Sequence, residues 1–362
     1  MEARKATHTG PSKHPREGVL QTIQQALASA GLLRESPPHQ DSNAEIGEAY
    51  NRSSPKARDG TRPPPTGLET TPEGEFLGHT YTSSAGTRTY KLYVPASYWR
   101  EPRDPVPMLL MLHGCTQSPE DFAAGTRMNF LAERHGFLVV YPAQDANANA
   151  SKCWNWFRAE DQKRDRGEPA IIAGITREVA RNYQVDERRL FVAGLSAGAA
   201  MAVVLGCTYP ELYAAVGCHS GLPYAAAHDV PSAFRAMRAG SGSGARSVSG
   251  IESPGMPTIV FHGDTDKTVN YSNGAAVVTQ VTSTRSLHAP LRNSVRTGVG
   301  PDGRKYTRTI YFDADDRPVV EHWVLHDFGH AWSGGSPAGS HSDPGGPDAS
   351  AEMVRFFLSQ HR

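Results

Sequence analysis

The sequence has no excess of charge of either sign, since its 362 residues include 37 lysines and arginines and 37 aspartates and glutamates. Nucleic acids and anionic membranes attract proteins with a strong positive charge, so this balance argues against a partner of either kind. No apolar run approaches the length of about 18 residues that a transmembrane helix requires. The sequence therefore predicts neither a nucleic-acid-binding protein nor a membrane-spanning one.

Cysteine is also scarce, with four residues at positions 115, 153, 207 and 218 and no CxxC pair among them. A structural zinc site usually contains such a pair, so no metal site is predicted. Composition alone leaves free buried thiols and disulfides both open. The first 18 residues include basic side chains but no apolar segment follows them, so no signal peptide is visible.

The chain divides into two regions of different composition. Residues 1–75 are predicted to be a flexible, proline-rich arm, because their polar stretches cannot bury enough apolar surface to offset the entropy of ordering. Within this arm the amphipathic segment Val19–Leu27 predicts one short helix. Residues 76–362 are predicted to form one large folded domain, for which the overall hydrophobic content of 38% is sufficient.

The pattern of the second region is typical of an α/β protein. His79–Ser83 and Thr87–Val94 alternate in polarity and predict an antiparallel pair of strands. Unbroken apolar runs alternate with helix-like stretches after that, which predicts a mostly parallel sheet with helices on both faces. The apolar runs are Met108–Leu112, Phe137–Tyr141, Leu190–Ala193, Ala214–Val216 and Thr258–Phe261. Further predicted elements are a helix over Pro169–Tyr183, a hairpin of Tyr306–Phe312 with Val319–Leu325, and a closing helix over Ala349–Leu358.

A candidate nucleophile lies directly after the Leu190–Ala193 run. Gly194, Ser196 and Gly198 have the GxSxG spacing of a tight strand-to-helix turn, in which the glycines leave room for the neighbouring strand and helix. Such a turn exposes the serine hydroxyl at a helix N-terminus, where developing negative charge is stabilised. The alternative is a turn that only serves packing.

A serine nucleophile needs a base and a group that orients the base, each after a later strand. Two aspartates follow the Thr258–Phe261 run, and Asp266 is favoured because it lies further beyond the strand end. Asp264 is predicted to hold the turn by accepting backbone N–H groups.

His330 is the candidate base, because it follows a strand and lies in a loop flanked by glycine. His322 and His326 are predicted to belong to the strand and to point into the faces of the sheet. Two backbone N–H groups must also stabilise the oxyanion, and Ala197 and Cys115 are the candidates. Cys115 follows the His-Gly pair that ends the Met108–Leu112 run.

Six ordered motifs between Gly78 and Leu358 resemble the esterase family of polyhydroxybutyrate depolymerases, and related feruloyl and acetylxylan esterases share the pattern. The motifs are LHGCTQ (112–117), CWNWF (153–157) with Arg164 and Gly167-Glu168, GLSAGAAM (194–201), HSGLPYAAA (219–227), HGDTDKTV (262–269) and GHAWSGG (329–335). This resemblance implies an α/β-hydrolase fold, with antiparallel strands at its N-terminal side. It also implies Ser196, Asp266 and His330 as a triad, and Cys115 and Ala197 as the oxyanion donors.

The resemblance bears on the cysteines as well, since Cys115 and Cys153 look like a disulfide and Cys207 and Cys218 look like a second bridge. The pocket is expected to be walled by four aromatic residues, with core packing as the alternative for the first two. They are Trp154, Trp156, Tyr224 and Trp332. The stretch from residue 228 to residue 257 is expected to cross the site and to act as a lid.

The implied activity is hydrolysis of a carboxylic ester through an acyl-enzyme, without cofactor or metal, on poly(3-hydroxybutyrate)-type polyester or its oligomers. A feruloyl or acetylxylan esterase or a general polyesterase is the alternative, and a peptidase or a non-catalytic binding protein is less favoured. No signal peptide or polymer-binding module is visible, which favours oligomers or small esters over crystalline polymer. The resemblance favours an extracellular setting and the missing signal peptide a cytoplasmic one. The sequence leaves the oligomeric state undetermined.

Overall fold

The computed structural model describes residues 73–100, 104–241, 255–286 and 289–362. The predicted helix over Val19–Leu27 and all but the last residues of the predicted arm lie outside this range. Ten strands form one sheet in the order β1-β2-β4-β3-β5-β6-β7-β10-β9-β8. The strands are β1 Glu75–Ser83, β2 Gly86–Val94, β3 Val106–Leu112, β4 Leu138–Pro142, β5 Val185–Leu195, β6 Ala215–His219, β7 Thr258–Gly263, β8 Arg292–Val299, β9 Lys305–Phe312 and β10 Pro318–Leu325.

The six central strands, from β4 to β10 in the sheet order, pair in parallel. Two antiparallel strands extend the sheet at each edge, β2 and β1 on one side and β9 and β8 on the other. This arrangement is the α/β-hydrolase fold that the sequence predicts. A small two-stranded sheet, β11 Trp332–Ser333 with β12 Ser342–Asp343, lies beyond β10 in the chain.

Helices cover both faces of the sheet because the central strands are apolar on both sides. In β3, Leu110 and Leu112 belong to one buried cluster and Leu109 and Met111 to the other, as the alternation of side chains along a strand requires. The described α-helices are α1 Pro119–Thr126, α2 Met128–His135, α3 Gly167–Asn182, α4 Ala197–Thr208, α5 Val230–Ala239, α6 Ser272–Ser286 and α7 Ala349–Leu358. The first cluster includes side chains of α3 and α4, and the second includes side chains of α1, α2 and α7.

The predicted strands, the hairpin and the α3 and α7 helices are therefore all present, with ends that differ by a few residues. The edge strand β8 is not among the predicted elements. Most of its residues are exposed, and its two valines, Val295 and Val299, are too few and too far apart to form an apolar pattern. The segment takes its strand structure from pairing with β9. None of the described helices has the length and hydropathy to cross a lipid bilayer.

The predicted bridge between Cys207 and Cys218 is wrong, because both residues carry free thiols. Cys207 lies in the last turn of α4 and Cys218 in β6, and both pack into the same apolar cluster as small hydrophobic side chains. Burial raises the pKa of each thiol to about 12.

The buried carboxylate of Glu321 connects helix α7 to strands β9 and β10 near the edge of the sheet. Glu321 of β10 is fully buried, and it accepts hydrogen bonds from Arg308 of β9 at 2.9 and 3.1 Å and from Arg355 of α7 at 2.7 and 2.9 Å. The indole N–H of Trp323 donates a further bond at 3.1 Å.

We expect Glu321→Ala to lower the free energy of unfolding by about 2–3 kcal/mol, because it removes the partner of two guanidinium groups that are partly withdrawn from water. Glu352→Ala is the matched control, since Glu352 contacts the same Arg355 at 2.7 Å on the surface. Its cost should stay below about 1 kcal/mol. Urea unfolding measures both, and equal losses would contradict the role assigned to Glu321.

Candidate active site

Ser196 occupies a strained turn between β5 and α4. Its backbone has φ 58° and ψ −120°, a conformation that a residue with a side chain rarely adopts. The flanking glycines allow this turn to form, because a Cβ at Gly198 would lie 2.1 Å from the carbonyl oxygen of Leu112 and one at Gly194 would lie 2.5 Å from Gly198. The Ser196 N–H donates to the carbonyl of His219 at 2.9 Å, which ties the turn to β6.

Asp266 and His330 are hydrogen-bonded to each other, with 2.7 Å between the Asp266 Oδ2 and His330 Nδ1 atoms. Asp266 follows β7 and His330 follows β10, and these strands are parallel neighbours. Ser196 follows β5, two strands away in the same parallel set, so all three side chains lie at the carboxyl edge of the sheet. The structure therefore brings the three predicted triad residues to one edge.

Several donors hold the Asp266 carboxylate in place. Its Oδ1 atom accepts the backbone N–H groups of Thr268 and Val269, both at 2.9 Å, and the imidazole of His262 lies 3.5 Å from Oδ2. Burial opposes ionisation of this carboxyl, but the His330 imidazole and the hydrogen bonds from His262 and His330 outweigh it. Together they hold the pKa of Asp266 well below its usual value.

The second aspartate of this loop has a different partner. Asp264 accepts the backbone N–H of Asp327 at 2.8 Å. It thus bonds a backbone N–H as predicted, but that N–H belongs to the loop after β10 and not to the turn of Asp264 itself. Its other oxygen lies 2.8 Å from Nδ1 of His326, whose Nε2 lies 2.9 Å from the hydroxyl of Thr307. The prediction that His326 belongs to the strand is wrong, because β10 ends at Leu325 and the turn directs the imidazole toward Asp264.

The two candidate oxyanion donors lie beside the nucleophile, since Cys115, Ser196 and Ala197 line one cavity. Among the described residues, neither the N–H of Cys115 nor that of Ala197 has a backbone acceptor. The predicted disulfide between Cys115 and Cys153 is present. Thr116 next to it donates its N–H to the Ser151 carbonyl at 2.7 Å, so the two loops are joined covalently and by a hydrogen bond.

The cavity is partly open to solvent and has a volume of about 200 Å³. Most of its wall is apolar, and the charged side chains in the wall are Lys267 and Arg238. The remaining lining residues are Cys115, Asn149, Cys153, Trp156, Phe157, Ser196, Ala197, Leu222, Val230, Ala233, Phe234, Met237, Thr268 and Val269. In the described part of the chain, no group of three or more His, Cys, Asp or Glu side chains is arranged to hold a metal ion.

The chain matches the model of a known protein family. Residues 88–289 match the family model described as esterase PHB depolymerase. The chain belongs to this family. The matched segment includes Ser196 and Asp266 and ends before His330.

Two curated relatives of this esterase family cover most of the chain. Poly(3-hydroxyalkanoate) depolymerase C of Paucimonas lemoignei is 33% identical over 247 residues, which are 66% of this chain and 56% of the relative. Poly(3-hydroxybutyrate) depolymerase of Ralstonia pickettii is 28% identical over 302 residues, or 71% of this chain and 61% of the relative. The chain thus spans less than two thirds of the length of either relative.

A solved structure has the same fold. The acetyl xylan esterase from Aspergillus awamori superimposes with a TM-score of 0.59 at 18% identity, covering 79% of this chain and all of that one. This likeness concerns the fold alone.

Of the four aromatic residues predicted to wall the pocket of this family member, only Trp156 lines the cavity. The Trp154 indole is fully buried behind the loop that follows β3, and it donates to the His113 carbonyl at 3.1 Å. Tyr224 is half-buried, and its hydroxyl donates to the Gln162 carbonyl at 2.8 Å. The Trp332 ring is buried because it stacks on His219 with 5.1 Å between ring centroids.

Sequence reasoning missed the helix that forms much of the wall. Five residues of α5 line the cavity, and Arg238 is one of them. The other four are Val230, Ala233, Phe234 and Met237. Their spacing of three, four and seven residues is the signal that predicts an amphipathic helix. Helix α5 lies in the stretch expected to act as a lid, whose residues 242–254 lie outside the described ranges. That expectation stays a prediction.

His219 is a second residue that was missed, although it opens the HSGLPYAAA motif. Its carbonyl accepts the Ser196 N–H, and its Nε2 accepts the Ser333 N–H at 3.1 Å. The Nδ1 atom lies 3.2 Å from the Ser220 hydroxyl. Burial lowers the pKa of His219 to about 3, so the imidazole is neutral and donates from Nδ1 while it accepts at Nε2. His219 therefore connects the serine turn, through its backbone carbonyl, to the loop that follows His330, through its imidazole.

We expect the Cys115→Ala, Cys153→Ala double variant to unfold at a lower temperature. The bridge joins residues 38 positions apart, and the chain-entropy cost of losing such a link is about 3–4 kcal/mol. Cys207→Ala, which removes a free thiol, is the control and should have the smaller effect. Calorimetry measures the unfolding temperatures, and mass spectrometry without reductant should find the linked peptide. Two alkylatable thiols at 115 and 153 in the folded protein would refute the bridge.

Proposed function

We propose that this protein is a carboxylic ester hydrolase that works through an acyl-enzyme on Ser196, with His330 as base and Asp266 as its orienting acid. The observation that carries the proposal is the strained Ser196 turn, which opens into an apolar cavity beside two N–H groups that have no backbone acceptor among the described residues. The hydrogen bond between Asp266 and His330 at the same sheet edge supports it.

The chemistry follows from which ring nitrogen of the neutral His330 imidazole carries the proton. Because Nδ1 faces the ionised Asp266 oxygen at 2.7 Å, the neutral ring carries its proton on Nδ1 and leaves Nε2 free to accept one. Nε2 takes the Ser196 proton as Oγ attacks the ester carbonyl, and the carbonyl oxygen becomes an oxyanion held by the N–H groups of Cys115 and Ala197. Collapse of this intermediate breaks the bond to the alcohol, which leaves with the proton from His330.

Water completes the reaction by the same steps. His330 removes a proton from water, the hydroxide adds to the acyl carbon, and Ser196 departs with that proton as the carboxylic acid is released. Asp266 stays ionised throughout and stabilises the imidazolium that forms twice in each cycle.

The cavity wall supports an aliphatic ester as the substrate. Leu222, Phe234 and Met237 contribute apolar surface, whereas a sugar would require many more hydrogen-bonding groups. The names of the two depolymerase relatives point the same way, toward esters of 3-hydroxyalkanoic acids. A panel of 3-hydroxybutyrate oligomers, acetylated xylan, feruloyl esters and amides tests this substrate class. Faster turnover of xylan, feruloyl or amide substrates would overturn it.

We expect Ser196→Ala to lower kcat on a short-chain p-nitrophenyl ester by about 10⁵–10⁶-fold, because the nucleophile is lost. Hydrolysis is followed by release of p-nitrophenol, and circular dichroism verifies the fold of the variant. Near-normal turnover in the folded variant would exclude Ser196 as the nucleophile.

The two aspartates of the loop after β7 provide a matched pair. Asp266→Asn should lower kcat by about 10³–10⁴-fold, since an amide neither selects the productive tautomer of His330 nor stabilises its cation. Asp264→Asn should cost about 1 kcal/mol of stability by weakening the contact with the half-exposed His326, and should retain most of the activity. Steady-state kinetics and urea unfolding of both variants check this. The reverse pattern would exchange the two roles.

A further inference from the structure

Two cationic side chains lie in the wall of the otherwise neutral cavity that contains Ser196. Arg238 and Lys267 are both exposed, and no acidic residue of the described ranges lines the cavity with them. Within the described ranges neither forms an ion pair. A pocket that accepts only a neutral aliphatic chain has no use for two such charges at its wall.

Hydrogen bonds hold the two segments that carry these cations together. Arg238 lies in the last turn of α5, and the Asn270 side chain donates to its carbonyl at 3.2 Å, while the Asn270 N–H donates to the Met237 carbonyl at 2.7 Å. The Asn273 side chain, at the start of α6, donates to the Ala236 carbonyl at 2.9 Å. The end of α5 is thus hydrogen-bonded to the loop that contains Lys267 and to the helix after it, so both cations are held at the same wall.

A basic residue in the last turn of a helix is also expected from the helix dipole, and that alone accounts for an arginine in this turn. It does not account for Lys267, which lies in a loop directly after Asp266. Arg235, on the same helix and equally exposed, does not line the cavity, so position and not helix electrostatics distinguishes Arg238.

We propose that Arg238 and Lys267 form a subsite for a free carboxylate on the ester substrate. The inference rests on the proposed esterase function and specifies its substrate class: short esters with a carboxylate at one end are preferred over neutral esters of the same length. Arginine and lysine donate charge-assisted hydrogen bonds to a carboxylate, and the apolar residues of the same cavity accommodate the aliphatic chain. The enzyme then cleaves oligoesters from a charged end.

The carboxylate belongs either to the alcohol part of the ester or to the acyl part, and two substrate pairs distinguish these. The 3-hydroxybutyrate dimer against its methyl ester, followed at the internal ester bond, places the charge on the alcohol side. The mono-p-nitrophenyl ester of glutaric acid against p-nitrophenyl valerate places it on the acyl side. The anionic member of one pair should have a kcat/KM about tenfold higher, and 0.5 M NaCl should reduce this ratio because exposed charges are screened.

The double variant Arg238→Gln, Lys267→Gln should bring the ratio of that pair close to one. Arg235→Gln removes a charge from the same helix outside the cavity and should leave the ratio unchanged. A ratio near one in the parent protein for both pairs, or an unchanged ratio in the double variant, would overturn the subsite. If p-nitrophenyl valerate is then still hydrolysed by the parent and not by Ser196→Ala, the esterase proposal survives. Failure to hydrolyse any ester would overturn both.

Discussion

The close approach of the start of α4 to the end of β3 is the constraint on which the site depends. A single methyl group on Gly198 would lie 2.1 Å from the Leu112 carbonyl oxygen, so only hydrogen fits there. This contact fixes Ala197, at the start of the helix, relative to Cys115, three residues beyond Leu112. The two candidate oxyanion donors come from segments about 80 residues apart in the chain. Packing of the Leu112 carbonyl against Gly194 and Gly198 sets the distance between them in space. The strained φ of Ser196 is a consequence of the same packing.

Residues beyond the strand ends are not held by the hydrogen bonds of the sheet. The positions of the loops in the site therefore depend on cross-links between neighbouring loops. The Cys115–Cys153 bridge joins the loops after β3 and β4, and His219 joins the serine turn to the segment after His330. Asp264 joins the loop after β7 to the loop after β10 through His326. Each link involves at least one loop that carries a candidate catalytic or oxyanion-binding group. The site is therefore built on cross-linked loops at one edge of the sheet, and these links limit the motion of each group.

The sequence is sufficient where a residue follows an apolar run and lies in a recognisable turn. Ser196, Asp266 and His330 all satisfy this, which is why their common sheet edge follows from the pattern alone. The direction of a side chain within a loop does not follow. CWNWF contains two tryptophans of equal character, yet Trp156 lines the cavity and Trp154 fills the space behind His113. Strand ends set a similar limit, since one residue past the end of β10 is enough to turn His326 toward Asp264.

The candidate catalytic residues and the cavity wall come from different parts of the fold. The candidate catalytic residues follow the ends of central strands, whereas much of the cavity wall comes from α5, which belongs to the connection between β6 and β7. Asn270 and Asn273 fasten this helix to the loop that also holds Asp266. Because α5 lies outside the parallel sheet, its apolar face or Arg238 can change without disturbing the strands. We therefore expect the proposed substrate preference to depend on a helix that the parallel sheet does not require.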